Sequence, residues 1–271
     1  MENNSQQFVD FVENHLNQNC ESELIEMTAL TGHSVGGAGK SAKDEFYSSY
    51  VRCLAYINKE GELTKEEISL FYYLDNTTPL RYLDIEKLTP YTFVVKKLKD
   101  KNVFYIVDIK EKATTTLFDE IIKEETAVIE IEEGDSIFTF DRKYGWYEGK
   151  VDLENKKIVV LLYPERKTTD ATNSLETFRK IKEDFKNFYH KVLDQCSYDL
   201  VYIANEWKDE DDTHEITNEE IYNRIDKNHF DIEIRDKKFT IYFEDDDLFW
   251  GHTIMYEGNI ENNEHKATIA G

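Results

Sequence analysis

The chain is poor in residues that cross-link or interrupt a fold. Its 271 residues include three cysteines, Cys20, Cys53 and Cys196, too few and too widely spaced for a disulfide framework. They form no C-x-x-C, which excludes a zinc ribbon or a paired redox site of that kind. Free thiols in a cytoplasmic protein are the simplest reading. Three prolines and eleven glycines exclude a collagen-like or low-complexity chain. No run approaches the ~18 apolar residues that a membrane span needs; the longest, such as Ile158 to Tyr163, are strand-sized. Met1 to Val9 is polar, with no basic segment leading into an apolar stretch, so no signal peptide is expected. Positive charge is scarce as well. Lys and Arg number 33 against 56 Asp and Glu, a net charge of −23. That balance disfavours a nucleic-acid partner, because a phosphate backbone would be repelled over most of the surface.

What is present suffices for a core. Hydrophobic residues make up 40% of the chain, so it is not a disordered acidic tail. The length suits two modest domains. In the N-terminal part, residues 6–18 place Phe8, Phe11, Val12 and Leu16 near helical spacing. Residues 23–30 read as a strand, followed by a glycine-rich loop over 31–41. Residues 50–57 alternate with the strand period, and Lys59-Glu60-Gly61 is a turn. Residues 62–75 stay ambiguous: Thr64 and Glu67 could form a capping box, yet 69–74 is aromatic and β-prone. Strands are expected at 91–98 and 102–109, a helix at 117–124 and extended chain at 127–131. The first domain, residues 1–135, thus reads as β-rich behind a leading helix, with an OB-like or other small barrel as an option.

The second domain, residues 136–271, reads as α+β. Strands are expected at 137–141, 146–153 and 157–163. Ser174 then caps an amphipathic helix carrying Leu175, Phe178, Ile181, Phe185, Phe188 and Val192, continued by 200–207. Thr217 and Glu220 make a capping box before Ile221 and Ile225. Antiparallel strands follow at 230–234, 239–243, 251–256 and 266–270. The fold class for the whole chain is therefore α+β, two domains, mostly antiparallel sheet, with packed helices in the C-terminal half.

Several motifs carry potential chemistry. Gly32-His33-Ser34-Val35-Gly36 fits G-x-S-x-G, but too little chain precedes it to build the sheet that presents such a serine. Gly36 to Ser41 approximates a phosphate-binding loop in which Ser34 stands where the first glycine is required. Asp209, Asp211, Thr213 and Glu220 follow a calcium loop at four ligand positions, but His214 occupies the position that needs glycine, and a helix cap explains the same residues. Asp245, Asp246, Asp247 and His252 offer oxygen and imidazole donors suited to a divalent cation or to acid–base work. Three consecutive side chains cannot all point one way on a strand, so at most two converge. No cofactor or metal is implied, and no complete catalytic constellation is present. Charge is the broader signal. Residues 206–247 hold sixteen acids against six bases, while 96–101 holds four lysines and one acid.

Asp245-Asp246-Asp247-Leu248-Phe249-Trp250-Gly251-His252-Thr253-Ile254 resembles the signature of a bacterial family called domain of unknown function 2262. Gly145-Trp146-Tyr147-Glu148-Gly149, the 216–220 helix start and the closing Ala267-Thr268-Ile269-Ala270-Gly271 agree with it. The resemblance covers roughly residues 137–271. The N-terminal half resembles the companion domain found ahead of it, in Gly37-Ala38-Gly39-Lys40 and in Cys53-Leu54-Ala55-Tyr56-Ile57 with Gly61-Glu62. The resemblance implies a small cytoplasmic bacterial protein and brings no activity with it. Some members are encoded near toxin or defence genes, which suggests immunity or interaction roles.

These readings converge on a non-enzymatic, acidic binding protein that sequesters a basic protein partner, as an immunity or defence protein would. No membrane is involved, and the oligomeric state is left open. Candidate contact residues are Asp245, Asp246, Asp247, Trp250, His252, Asp209, Asp211 and Asp212, with Tyr147 or Tyr202 as aromatic anchors. The alternative is a metal-dependent hydrolase or nucleotide-processing enzyme using Asp245, Asp247 and His252, with His33, Ser34 or Lys40 contributing.

Overall fold

In residues 47–57, Val51, Cys53 and Ala55 are fully buried while Tyr50 and Arg52 face solvent. A period of two with one wet face is the pattern of a strand over a core. It recurs through most of the first half of the chain. The structure, a computed structural model, describes residues 2–35, 38–40, 45–74, 85–208, 211, 213–227, 229–262 and 264–271. The chain divides into two compact units, Met1–Ala127 and Val128–Gly271. It is α+β, and strands dominate.

The first unit contains helix α1 (Glu2–Asn19), strands β1 (Ile25–Val35), β2 (Tyr47–Ile57), β3 (Leu63–Thr64), β4 (Ile68–Leu74), β5 (Pro90–Lys97) and β6 (Phe104–Lys112), and helix α2 (Asp119–Thr126). The strand order β1-β5-β6-β4-β2 returns to β1, with β3 appended to β2. The barrel closes because β1 serves two neighbours. Residues 25–30 pair with β5, and residues from Thr28 onward pair with β2. A register shift at Leu30/Thr31 bends the strand between them. Among the described residues only β4 and β6 run parallel. This is the five-stranded Greek-key arrangement of an OB barrel, the small barrel held open from sequence. Met27, Val51, Leu70, Phe93 and Val95 fill it. Phe118 and Ile121, at the start of α2, pack with Leu30 and Ala55.

Three local expectations resolve here. The ambiguous segment 62–75 holds strands at 63–64 and 68–74, with Asp75 outside the described residues: Ile68, Leu70 and Tyr72 are buried in alternation, and Glu67 binds Arg52 at 2.5 Å instead of capping a helix. The loop expected from residue 31 begins later, since β1 runs to Val35. Ser34 is therefore a strand residue, not the tip of a strand-to-helix turn, and the G-x-S-x-G reading fails on geometry. His33 Nε2 lies 2.8 Å from Glu125 Oε2, joining β1 to α2. Lys40 is exposed, 5.5 Å from the Tyr47 ring centre; Gly36, Gly37 and Ser41 lie outside the described residues. Two of the clustered lysines are tied to the end of α1. Lys99 Nζ donates to the Gln18 carbonyl at 2.8 Å and Lys96 Nζ to Asn17 Oδ1 at 3.2 Å. Cations at a helix C-terminus satisfy its free carbonyls and oppose its dipole.

The second unit begins with β7 (Glu130–Glu133), β8 (Ser136–Asp141), β9 (Trp146–Leu153) and β10 (Lys156–Tyr163). Helices α3 (Thr172–Glu183), α4 (Phe185–Trp207) and α5 (Asn218–Ile225) follow, then β11 (Phe230–Arg235), β12 (Lys238–Phe243), β13 (Thr253–Asn259) and β14 (His265–Ala270). The eight strands form one sheet in sequence order. All contacts are antiparallel except β10–β11, where the three helices carry the chain back to the same end of the sheet. The helices pack Phe178, Val192 and Leu200 in one core with Val160, Ile232 and Ile241 from the strands. The single amphipathic helix expected from Ser174 is two helices, broken at Asp184, whose φ of −131° and ψ of 44° leave the helical region. Ser174 lies inside α3 and does not cap it. Its hydroxyl donates to the Tyr163 carbonyl at 2.6 Å and accepts the Asp236 N–H at 3.0 Å. Strand β14 is an edge, and α4 covers part of it: Asp199 Oδ2 accepts the Ala267 N–H at 2.9 Å. The three cysteines are buried and unpaired. Burial pushes the Cys53 thiol up to about 12, so it is an inert core group rather than a nucleophile. No helix among the described residues is long and apolar enough to cross a membrane.

Candidate functional site

The acidic signature falls between β12 and β13, in a loop with unusual backbone geometry. Asp246, Asp247 and Trp250 have φ of 50°, 59° and 56°, and Gly251 has φ of 83°. Left-handed backbone is costly for residues with a Cβ, on the order of 1–2 kcal/mol each, and persists only where surrounding bonds enforce it. Asp245 supplies that enforcement. It is 7% exposed. Its Oδ2 accepts the N–H groups of Phe249 and Gly251, each at 2.9 Å, and its Oδ1 accepts the Asp247 N–H at 3.3 Å. One carboxylate thus gathers the whole turn, and such charge-assisted bonds are about twice as strong as neutral ones. Leu248 and Phe249 are buried beneath it and join the main core.

The other two carboxylates go elsewhere. Asp246 is exposed, and its Oδ2 accepts from Arg224 Nε of α5 at 2.9 Å. A second Arg224 nitrogen reaches the Asp246 carbonyl, so the guanidinium grips both side chain and backbone. Asp247 is exposed, and its carboxylate has no partner among the described residues. The three acids therefore splay apart, one inward, one to an arginine and one to solvent. His252 does not join them. It is half-buried, stands edge-on to Trp207 at 5.3 Å and packs on the backbone of Gly271, where a Cβ would fall 1.8 Å from His252 Nδ1. Among the described residues, no group of three or more His, Cys, Asp or Glu is placed to hold a metal ion. Cavities of 710 and 690 Å³ open elsewhere in this unit, beside Phe188, Tyr256 and His265 and beside Tyr163, Arg166 and Arg235. No residue of 245–252 lines either.

The loop does present an aromatic surface. Trp250 is 70% exposed and leans on half-buried Trp207, with ring centres 5.9 Å apart and planes at 44°. Trp207 also meets Phe249 edge-on at 5.9 Å. Upstream of Trp207 on α4, Tyr198 and Tyr202 are 72% and 69% exposed, one turn apart. Of the two proposed aromatic anchors, Tyr202 is thus available. Tyr147 is not: it is 2% exposed, and its hydroxyl donates to the Thr169 carbonyl at 2.7 Å inside the core. Asp211 is exposed in a turn; Asp209 and Asp212 lie outside the described residues. The calcium-loop pattern there gives way to a helix cap. Thr217 Oγ1 accepts the Glu220 N–H at 3.2 Å, and Glu220 turns to His214 Nε2 at 2.8 Å instead of closing the second half of a capping box. Sequence reading missed Trp207 and Arg224, since nothing local marks a residue more than a dozen positions away as the partner of a turn.

These elements define a two-domain α+β protein whose C-terminal unit carries an aspartate-stapled aromatic loop. Residues 136–269 match the family described as uncharacterized protein conserved in bacteria (DUF2262), and this half of the chain belongs to it. Residues 13–133 match a distinct domain of unknown function (DUF7021). No curated protein matches the chain.

Proposed function

We propose that this is an acidic binding protein whose second unit engages a basic protein partner through the 245–252 loop and the neighbouring end of α4, in keeping with an immunity or defence role. The observation that carries the reading is Trp250, held out at 70% exposure in left-handed backbone by a buried aspartate. A large aromatic on a rigid, pre-formed turn is the kind of residue that anchors interfaces, since little entropy is lost when it is covered. Tyr198 and Tyr202 add contact area of the same type. The net charge of −23, concentrated over 206–247, favours a basic partner and fast encounter with it. The splayed carboxylates lend the hydrolase alternative no support.

The test is affinity capture from the native host with wild type and with Asp247→Lys, read by mass spectrometry. Asp247 is exposed and its carboxylate has no partner among the described residues, so the exchange removes no side-chain contact, and an unchanged urea midpoint certifies the fold at its φ of 59°. Substituting Asp245 would unmake the loop and confuse binding with folding. One basic protein retained by wild type and released by Asp247→Lys is the expected result. Capture of no protein by wild type, or equal capture by both, would remove the loop as the interface.

A further inference from the structure

We infer that Trp250 and Trp207 form a cation-binding wedge, and that the partner inserts an arginine side chain there. The inference rests on the reading of this loop as a protein-binding face and gives it a specific chemistry. Three observations carry it. Trp250 meets solvent over most of its surface, while its inclined contact with Trp207 fixes the orientation of the ring. His252 and Phe249 both stand edge-on to Trp207, so the wedge is pre-formed rather than assembled on binding. Asp247, three residues before Trp250, carries an exposed carboxylate with no partner among the described residues, whereas Asp246 beside it is already neutralised by Arg224.

Aromatic faces carry negative electrostatic potential, and indole attracts cations most strongly. A free carboxylate three residues from an exposed indole in the same turn therefore selects a group that is cationic and flat. Guanidinium satisfies both requirements: it stacks on a ring face and still presents N–H donors in its plane to a carboxylate. An ammonium group satisfies only the first. The same loop already displays the carboxylate half of this chemistry, since Asp246 holds Arg224 of α5 through side chain and backbone together. A second copy of the chain is a poor occupant, because it would bring acids against acids.

The experiment uses the full-length protein and three peptides, acetyl-Gly-Arg-Gly-Arg-Gly-amide and its lysine and citrulline counterparts, at one fixed ionic strength. The readout is the indole N–H resonances, with Trp146 as an internal reference remote in sequence. The arginine peptide is expected to shift the Trp250 and Trp207 resonances in a saturable way and to bind more tightly than the lysine peptide. Citrulline, which keeps the shape and loses the charge, is expected to give no saturable shift. Trp250→Ala should weaken arginine binding about two- to five-fold, the range of an exposed cation–π contact, with Trp250→Phe in between. An unchanged Trp146 signal in the free variants certifies the fold; the Trp207 signal, whose ring touches residue 250, is expected to move with the substitution itself. Equal binding of arginine and lysine peptides, with no loss in Trp250→Ala, would reduce the effect to net charge and overturn the wedge. Saturable binding of citrulline, or no saturable binding of the arginine peptide, would overturn it as well. The two proposals fail separately. If Asp247→Lys releases a captured partner but the peptides do not discriminate, the binding face stands and the arginine wedge falls.

Discussion

Replacing Asp245 separates a structural staple from a chemical group. Its carboxylate accepts two backbone N–H groups at 2.9 Å through Oδ2 and one at 3.3 Å through Oδ1, in a site 7% exposed. Hydrogen bonds to charged groups contribute about 1.5–3 kcal/mol each, and buried donors left without partners add their own penalty. The bonds share one side chain and are not additive, so Asp245→Ala should destabilise the second unit by about 3 kcal/mol. Asp245→Asn is the informative variant. Its single oxygen can take the Oδ2 position and keep both short bonds, leaving an amide donor opposite only the long Asp247 contact. Its cost should be about 1 kcal/mol. Urea unfolding followed by tryptophan emission measures this cleanly, because Trp146, Trp207 and Trp250 all lie in the second unit. Equal losses for Asn and Ala would mean that the charge rather than the acceptor geometry holds the loop. A loss below about 0.5 kcal/mol for Ala would refute the staple altogether.

Other expectations concern the same unit. Burial, followed by the nearby charge of Lys191, holds the His265 imidazole below its usual value. A histidine with a depressed folded value binds its proton more readily when unfolded, so stability is fully present above the unfolded value near 6.5 and falls as pH drops through it. The urea midpoint should decline from pH 7.5 to pH 5.5 less steeply in His265→Gln than in wild type; identical slopes would count against that role. Gly258→Ala would set a Cβ 2.5 Å from Phe239 Cζ and 2.6 Å from His265 Nδ1, an overpacking that costs about 1–3 kcal/mol by the same assay. Thr217→Ala removes the α5 cap and should cost about 1 kcal/mol, with Thr217→Ser restoring most of it.

Strands such as 50–57, which the structure extends back to Tyr47, and 146–153 were legible because alternation reports directly on one buried face. Helix existence was legible from residues 175–207 for the same reason, but not the break at Asp184, since the apolar spacing continues across it. Segment 62–75 could not be settled locally, because Thr64 and Glu67 fit a helix cap as well as a strand. Pairing with β2 and the Arg52–Glu67 contact decided it. At the site, the sequence marked Asp245 to His252 as a unit and allowed at most two of its acids to converge, but could not say which carboxylate did what. Their different roles depend on which carboxylate meets backbone N–H groups, which meets Arg224 and which meets water.

Composition and periodicity were enough to establish an acidic, two-part α+β chain, because charge is additive and burial repeats with the local geometry of the backbone. They left undecided the closure of the first sheet into a barrel, the one parallel contact of the second, and the meeting of Trp207 with Trp250. Those are set by contacts between distant segments, and such contacts leave no mark in either segment alone. Barrel closure needs β1 to bend between two partners, and the tryptophan pair needs a turn locked by a buried carboxylate. In both cases the residues were in view from the start, and long-range packing fixed what each of them does.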